Sequence, residues 1–410
     1  MPRVWSSTSQ GARRWGIGIG VLLTCCVCTG PVGEGPCTRA GALLPFTGEL
    51  SSAATSIERA LILAAESVNA AGGLGGEPLC IDARDTRDSI KDGLQAARDL
   101  VYYDKVQVLL GPQDDELALQ VVDLLRERRV LGLSGGTTSP ALSYANDGGL
   151  WFRTVPSAAV LGRALAERIF SDGVRTISVL YEASEFGVGW TNVLQSHFTV
   201  LGGRSAGIHS YQPGQRTYAD QIAAAFAPGV EAVVLVASAA TGAAIVEEWA
   251  TSGHGRRWYF ASSLDDPLFV ENVPPGSVEG MVGVAPALGV DAGRLDALFA
   301  ARWQGEIPLR TAYFYHDALL LWALAHEEAR VKTGGWPEAG EVADCLQKVS
   351  APPGESVVFD ELDRALELVH QSQDLDFVGA TGAVDLDPRG DVATASAQFW
   401  SVGQGRIVYE

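Results

Sequence analysis

The chain has 410 residues, enough for two domains of ordinary size, and its 47 % hydrophobic and 19 % charged residues exclude global disorder. The net charge is −19 and the body of the chain carries no cluster of Lys and Arg. Nucleic acid is thereby excluded as a partner, because binding it requires clustered cations against the phosphates.

The first residues are of a different character. Arg3, Arg13 and Arg14 precede an uncharged run from Trp15 to Gly30, and no acid occurs before Glu34. A basic stretch followed by a short apolar segment is the layout of a secretory signal. It is short for a membrane span, which needs about 20 apolar residues. Residues 1–24 therefore read as a signal peptide and 25–36 as a tether. Their removal to residue 24 leaves 27 Lys and Arg against 49 Asp and Glu, a balance of −22. An uncleaved anchor is the alternative, and it places the rest of the chain in the same compartment. Leu22-Leu23-Thr24-Cys25 resembles a bacterial lipobox with Cys25 as the lipidated residue. Thr24 departs from the Gly, Ala or Ser preferred there, and Leu23-Thr24-Cys25-Cys26 is a competing frame. Cleavage with soluble release is the rival outcome. Zinc at Cys25, Cys26 and Cys28 is a weaker reading, with no His or second Cys pair nearby.

Beyond the tether, short apolar runs alternate with segments of helical period. Ala40 to Phe46 reads as a strand, Ser56 to Ala71 as a helix stopped by Gly72-Gly73, and Pro78 to Ala83 as a strand. Helix Ile90 to Tyr102, strand Val106 to Leu110, helix Glu116 to Arg128 and strand Val130 to Leu133 follow. The alternation restarts after Trp151-Phe152-Arg153: helix Leu161 to Asp172, strand Thr176 to Tyr181, helix Gly189 to Leu201, strand Ala206 to Ser210. Helix Tyr218 to Ala227, strand Ala232 to Ala237, helix Ala243 to Gly253 and strand Trp258 to Ala261 complete the second array. Three helices (Arg294 to Trp303, Thr311 to Lys332, Glu341 to Ser350) precede two strands between Val392 and Val408. Strand–helix alternation with short links predicts parallel sheets covered by helices on both faces. Two arrays of similar size predict two lobes. Cys37 and Cys80 start two of the predicted strands; if these are neighbours, an oxidising compartment permits a disulfide between them. Cys345, in a helical stretch, reads as a buried thiol.

Ordered blocks carry a family resemblance: Pro45-Phe46-Thr47-Gly48, Asn69-Ala70-Ala71-Gly72-Gly73-Leu74-Gly75-Gly76, Asp82-Ala83-Arg84-Asp85, Leu110-Gly111-Pro112 and Thr137-Thr138-Ser139-Pro140. Phe152-Arg153-Thr154, Phe186-Gly187, Tyr315-His316-Asp317-Ala318 and Asp387-Pro388-Arg389-Gly390-Asp391 continue it to the end of the chain. In this order they resemble the periplasmic leucine/isoleucine/valine-binding family, the substrate-binding components of branched-chain amino acid ABC transporters. The resemblance implies an α/β chain with the type I periplasmic-binding fold, two doubly wound parallel-sheet lobes joined by three crossings. The lobes would be 38–154 with 284–392, and 155–283 with 393–410. It implies a monomer in the periplasm or cell envelope, held to the membrane by its lipid anchor alone. Hinge closure on a small amino acid-like ligand and recognition by an inner-membrane ABC permease complete the implied function. A sensory or cell-envelope lipoprotein that binds its ligand without transport is the alternative.

Ligands of open α/β sheets sit outside the carboxyl ends of the strands, which directs attention to the loops there. In the family a Ser in the Gly-Pro-x-x-Ser loop and the following Thr-containing turn hold the ligand carboxylate. Here the turn survives as Gly136, Thr137 and Thr138, while Asp115, next to Asp114, takes the Ser position. An ionised Asp there would repel a ligand carboxylate. A cationic, amide-like or polyol ligand tolerates the acidic loop better. Phe186 matches an aromatic that packs on the ligand, Ser238 stands near a family tyrosine, and Asp265 and Asp266 lie near the ammonium-binding acid. Ser52, beyond the first strand, joins the candidates. Each has a plainer reading. Asp114 and Asp115 can cap the helix at Glu116, Thr138 a helix at Pro140, and Asp265 and Asp266 a helix at Pro267, while Phe186 can be interlobe packing.

Enzyme and cofactor signals fail. Gly132-Leu133-Ser134-Gly135-Gly136 has nucleophile-elbow spacing, but turn residues follow where a helix is required. Asp385-x-Asp387 starts like a calcium loop, yet Arg389 and Ser396 occupy ligand positions. No P-loop occurs. Catalysis, a resident metal and a cofactor are therefore not expected, and His316-Asp317 on the long apolar helix reads as a core pair.

Overall fold

Two parallel sheets realise the alternation. The computed structural model describes residues 37–410 apart from Glu49, His254 and Arg256, so the signal, the tether and Cys25 lie outside the described residues. The chain begins β1 (Thr38–Leu44), α1 (Ser51–Ala70), β2 (Leu79–Asp85), α2 (Ile90–Asp99), β3 (Val108–Leu110), α3 (Asp115–Arg128), β4 (Leu131–Ser134) and β5 (Trp151–Arg153). These strands pair in the order β2-β1-β3-β4-β5, all parallel. That is a doubly wound order whose winding reverses between β1 and β3, leaving a crevice at their carboxyl ends.

The same device is built a second time. It comprises α4 (Ala158–Ser171), β6 (Thr176–Glu182), α5 (Glu185–Val200), β7 (Arg204–Tyr211), α6 (Ala219–Ala225), β8 (Ala232–Val236), α7 (Ala239–Thr251), β9 (Arg257–Phe260), α8 (Pro267–Asn272) and β10 (Val282–Pro286). Its strands run β7-β6-β8-β9-β10, with the reversal between β6 and β8. The chain then returns to the first sheet with α9 (Ala292–Arg302), α10 (Arg310–Thr333), α11 (Ala339–Ser350), β11 (Glu355–Val358), α12 (Leu362–His370), β12 (Leu375–Gly379) and β13 (Gly382–Ala383). Finally β14 (Ala397–Gly403) and β15 (Arg406–Tyr409) extend the second sheet antiparallel beyond β10. Trp400 on β14 is fully buried, and its indole N–H donates to the Val284 carbonyl over 3.2 Å.

Side-chain alternation explains why both faces of each sheet are covered. Along β8, Val233 and Leu235 join one buried cluster while Ala232, Val234 and Val236 join the other. In the first sheet Ala42 and Leu44 face α1 and α10, and Leu43 faces α2 and α3. Strands buried on both faces read as continuous apolar runs, as they do here. The longest helix, α10, is buried from Ala312 to Ala329 and stops at Gly334, whose φ of 71° provides a left-handed cap. Among the described residues no helix is long and apolar enough to cross a membrane.

Three expectations change. The helix from Ile90 does not pass straight into a strand: it continues as a π-helical turn, Leu100–Asp104, that ends with Lys105 at φ 54°. Val106 therefore lies before β3, which begins at Val108. The stretch 351–391 contains a small sheet, β11-β12-β13, with α12 between its strands. Its strands are short and half exposed. His316 and Asp317 are buried, and Asp317 does more than pair with its neighbour. Its carboxylate accepts from the Ala380 and Thr381 amides over 2.9 and 2.8 Å and from the Thr381 hydroxyl over 2.6 Å, fastening the β12–β13 turn to α10.

Cys37 and Cys80 are joined by a disulfide, with Cα atoms 6.0 Å apart beside the paired starts of β1 and β2. Cys345 is a buried free thiol in α11. The bridge closes a 43-residue separation, for which loop-closure entropy corresponds to about 4 kcal/mol. Reduction is expected to lower the unfolding free energy by about 2–4 kcal/mol, read as a lower urea midpoint with unchanged cleft binding. An unchanged midpoint after complete reduction would contradict this.

Candidate functional site

A cavity of about 220 Å³ lies where the carboxyl ends of the two sheets face each other. Every loop that reaches it follows a strand of one sheet or begins a helix. The β3–α3 loop contributes Gln113, Asp114 and Asp115, and the turn after β4 contributes Gly136 and Thr138. From the second sheet come Glu182, the last residue of β6, with Ser184 and Phe186 after it, Ser238 after β8, and Ser262, Ser263, Asp265 and Asp266 after β9. Arg310 and Phe314, at the start of α10, close one side, and Leu50 and Ala53, at the start of α1, another. Gly111, at φ 92°, turns the chain out of β3, where a Cβ would stand 2.5 Å from the Leu43 carbonyl.

Asp114 and Asp115 divide the roles the sequence left open. Asp114 is the N-cap of α3, its Oδ1 accepting from the Leu117 amide over 2.7 Å. Asp115, 4 % exposed, reaches the turn after the neighbouring strand β4 instead: its Oδ1 accepts from the amides of Thr138 and Ser139 over 2.8 and 3.0 Å. Burial pushes the Asp115 carboxyl up to about 7, against the pull of the Ser139 amide and the Arg153 guanidinium. Burial also raises Asp114. Arg153 is 1 % exposed; it donates to the Ser139 carbonyl over 2.8 Å and is ion-paired with Asp391. The 137–139 turn is thus held from one side by Asp115 and from the other by Arg153.

The second sheet brings further carboxylates. Asp266 caps α8, accepting from the Leu268 amide over 2.8 Å. Asp265 is buried, ion-paired with Arg310, and accepts from the Tyr409 hydroxyl over 2.7 Å. Burial raises the carboxyls of both. The Arg310 guanidinium also donates to the Pro286 carbonyl over 2.7 Å and lies 4.2 Å from the centre of the Tyr409 ring. It connects the start of α10 to β10, β15 and the loop before α8. Among the described lining residues five are carboxylic acids and Arg310 is the one basic group.

Of the candidates named from sequence, Asp114, Asp115, Gly136, Thr138, Phe186, Ser238 and Asp265 line this cavity. Ser52 and Thr137 do not. Ser52 sits exposed in the first turn of α1, where Leu50 and Ala53 take the cavity side. Thr137 is buried behind the turn, its amide donating to Ser134 Oγ over 3.1 Å. The cap of the 3₁₀ turn at Pro140 is Ser139, which accepts from the Ala141 amide over 3.1 Å, and not Thr138. Ser238 caps α7 while lining the cavity. Phe186 both packs on the core beneath β6 and lines the cavity, so the two readings are compatible. Sequence reasoning missed Gln113, Glu182, Ser184, Ser262, Ser263 and Arg310. The serines follow strand ends and Glu182 is one, so they were findable by that rule; Arg310 carries no local signal.

Comparison with known proteins agrees with the fold. Residues 38–366 match the family model described as periplasmic binding protein. A relative from Halobacterium salinarum, named as the chemotactic signal transduction system substrate-binding protein BasB, is 26 % identical over 84 % of this chain and 82 % of its own length. A Leu/Ile/Val-binding protein homolog 2 from Brucella abortus is 25 % identical over 46 % of this chain, which spans about half (51 %) of that relative. The leucine-binding protein LivK of Thermotoga maritima shares the fold, with a TM-score of 0.77 at 19 % identity over 91 % of this chain and 97 % of its own. Fold and family model converge: the chain belongs to the periplasmic binding protein family, with the type I fold.

Proposed function

We propose that the protein is an extracytoplasmic solute-binding protein that traps a small polar ligand between two lobes by hinge closure and presents it to an ABC importer. The observation that carries this is the position of the cavity, outside the carboxyl ends of both sheets and lined from both at their switch points. The lobes would comprise 38–154 with 284–392, and 155–283 with 393–410. Ser139, on the first sheet's turn, donates to Glu185, at the start of α5, over 2.9 Å, a contact that closure would make or break. Thr154 would act at the first crossing, its hydroxyl donating to the Phe314 carbonyl over 2.7 Å. The protein would act as a monomeric binder, not an enzyme, and be tethered through Cys25.

Sensing without transport is the second reading, favoured by the name and extent of the Halobacterium relative. Titration of the purified protein with a solute panel, followed by small-angle scattering, tests the shared core of both readings. A ligand at one hundred times its dissociation constant is expected to add about 2.7 kcal/mol of stability and to reduce the radius of gyration. If no solute does either, the proposal fails. Loss of uptake on gene deletion supports transport, and loss of a tactic response alone supports sensing.

A further inference from the structure

We infer that the cleft takes a compact organic cation bearing N–H donors, an alkylammonium or guanidinium without a carboxylate on the same carbon. This rests on reading the cavity as a solute site. Two adjacent backbone amides at the mouth of a crevice ordinarily make an anion site. Here Oδ1 of the protein's own Asp115 already accepts from both, Thr138 and Ser139. An incoming carboxylate would find those donors occupied and the Asp114 and Asp115 carboxylates facing it.

The cavity's one basic lining group is engaged as well. Arg310 is paired with Asp265, donates to the Pro286 carbonyl and lies over the Tyr409 ring. What the cavity leaves over includes two buried acceptors, an amide oxygen and a hydroxyl that can also donate. Thr138 is 7 % exposed, and its Oγ1 is buried without a partner among the described residues; Gln113 Oε1 is buried and unpartnered too. Both residues line the cavity. An amide oxygen can only accept, so its partner must donate. Phe186, Phe314 and Val155 supply an apolar wall against which an alkyl stem packs, and an aromatic face favours a cation.

Two ligand pairs that differ only in the α-carboxylate test this by titration calorimetry on the purified protein: agmatine against L-arginine, and 3-methylbutylamine against L-leucine. At least one amine is expected to bind, at least tenfold more tightly than its amino acid. Asp115→Ser should narrow or reverse that ratio by freeing the turn amides, with circular dichroism confirming that the variant is folded. Amino acids binding as tightly as the amines, or neither amine binding, overturns the inference. In the first case the solute-binding reading stands; that reading falls only if the wider panel also produces neither binding nor closure.

Discussion

Replacing Asp115 with Asn is expected to stabilise the protein progressively as pH rises from 4 to 7, and to leave stability nearly unchanged at pH 4. The folded protein holds this carboxyl near 7, whereas its ordinary value is 3.8. Burial is the main cause, with the charge of Asp114 adding to it. A group raised on folding binds its proton more tightly in the native state. Its contribution to stability is therefore complete below pH 3.8 and is lost as pH rises through 7. Within that window the loss approaches about 1.4 kcal/mol per pH unit, reaching as much as about 4 kcal/mol above pH 7. Asn keeps an Oδ1 acceptor for the Thr138 and Ser139 amides but carries no charge to bury. Asp114, Asp265 and Asp266 are raised in the same sense, and Asp85, Asp172 and Glu327 are lowered. The quantity to follow is thus the difference between Asp115→Asn and the parent, from urea unfolding at several pH values. A difference that stays flat between pH 4 and 8 would sink the argument.

Arg310→Met is expected to cost about 3–5 kcal/mol, because it strands a buried carboxylate. The Asp265 side chain is 1 % exposed and that of Arg310 10 % exposed, so water cannot replace the lost partner. Met retains much of the aliphatic stem and so separates the loss of charge from the loss of packing. Adding Asp265→Asn should restore part of the stability, since the uncompensated charge is then gone. A double-mutant cycle from denaturant unfolding measures this coupling. A single-variant loss below about 1 kcal/mol, in the range of exposed pairs, would show that the pair is effectively solvated.

The two predictions share a physical root. Both concern carboxylates placed at the mouth of a cavity where helix caps and turns already claim hydrogen bonds. Asp266 and Asp114 cap α8 and α3, roles that recur wherever Asp precedes a helix. Asp115 and Asp265 instead compensate groups far away in sequence, an amide turn and a guanidinium. Replacing the capping pair should therefore disturb local helix starts, and replacing the bridging pair should disturb the cleft.

Much of the scaffold was legible from residue order alone. Short continuous apolar runs such as Ala232–Val236 and helical-period runs such as Ser56–Ala70 are local properties, readable from a few neighbouring residues. The disulfide candidates and the loops that reach the cavity followed from the same alternation. The strands of 351–391 were not legible. Glu355 and Ser356 are exposed in β11, and four-residue strands become strands only when paired, as Glu355 is with Leu375. The meaning of Asp115 was also beyond reach, since its partners stand 23 and 24 residues away and meet it only once β3 and β4 pair. Sequence by itself determined the strand–helix alternation of the two main arrays, because propensity and period act over a few neighbouring residues. The tertiary structure alone decided which carboxylate caps a helix, which fills an anion-binding turn and which pairs with Arg310, because neighbouring Asp residues are told apart only when loops distant in sequence come together.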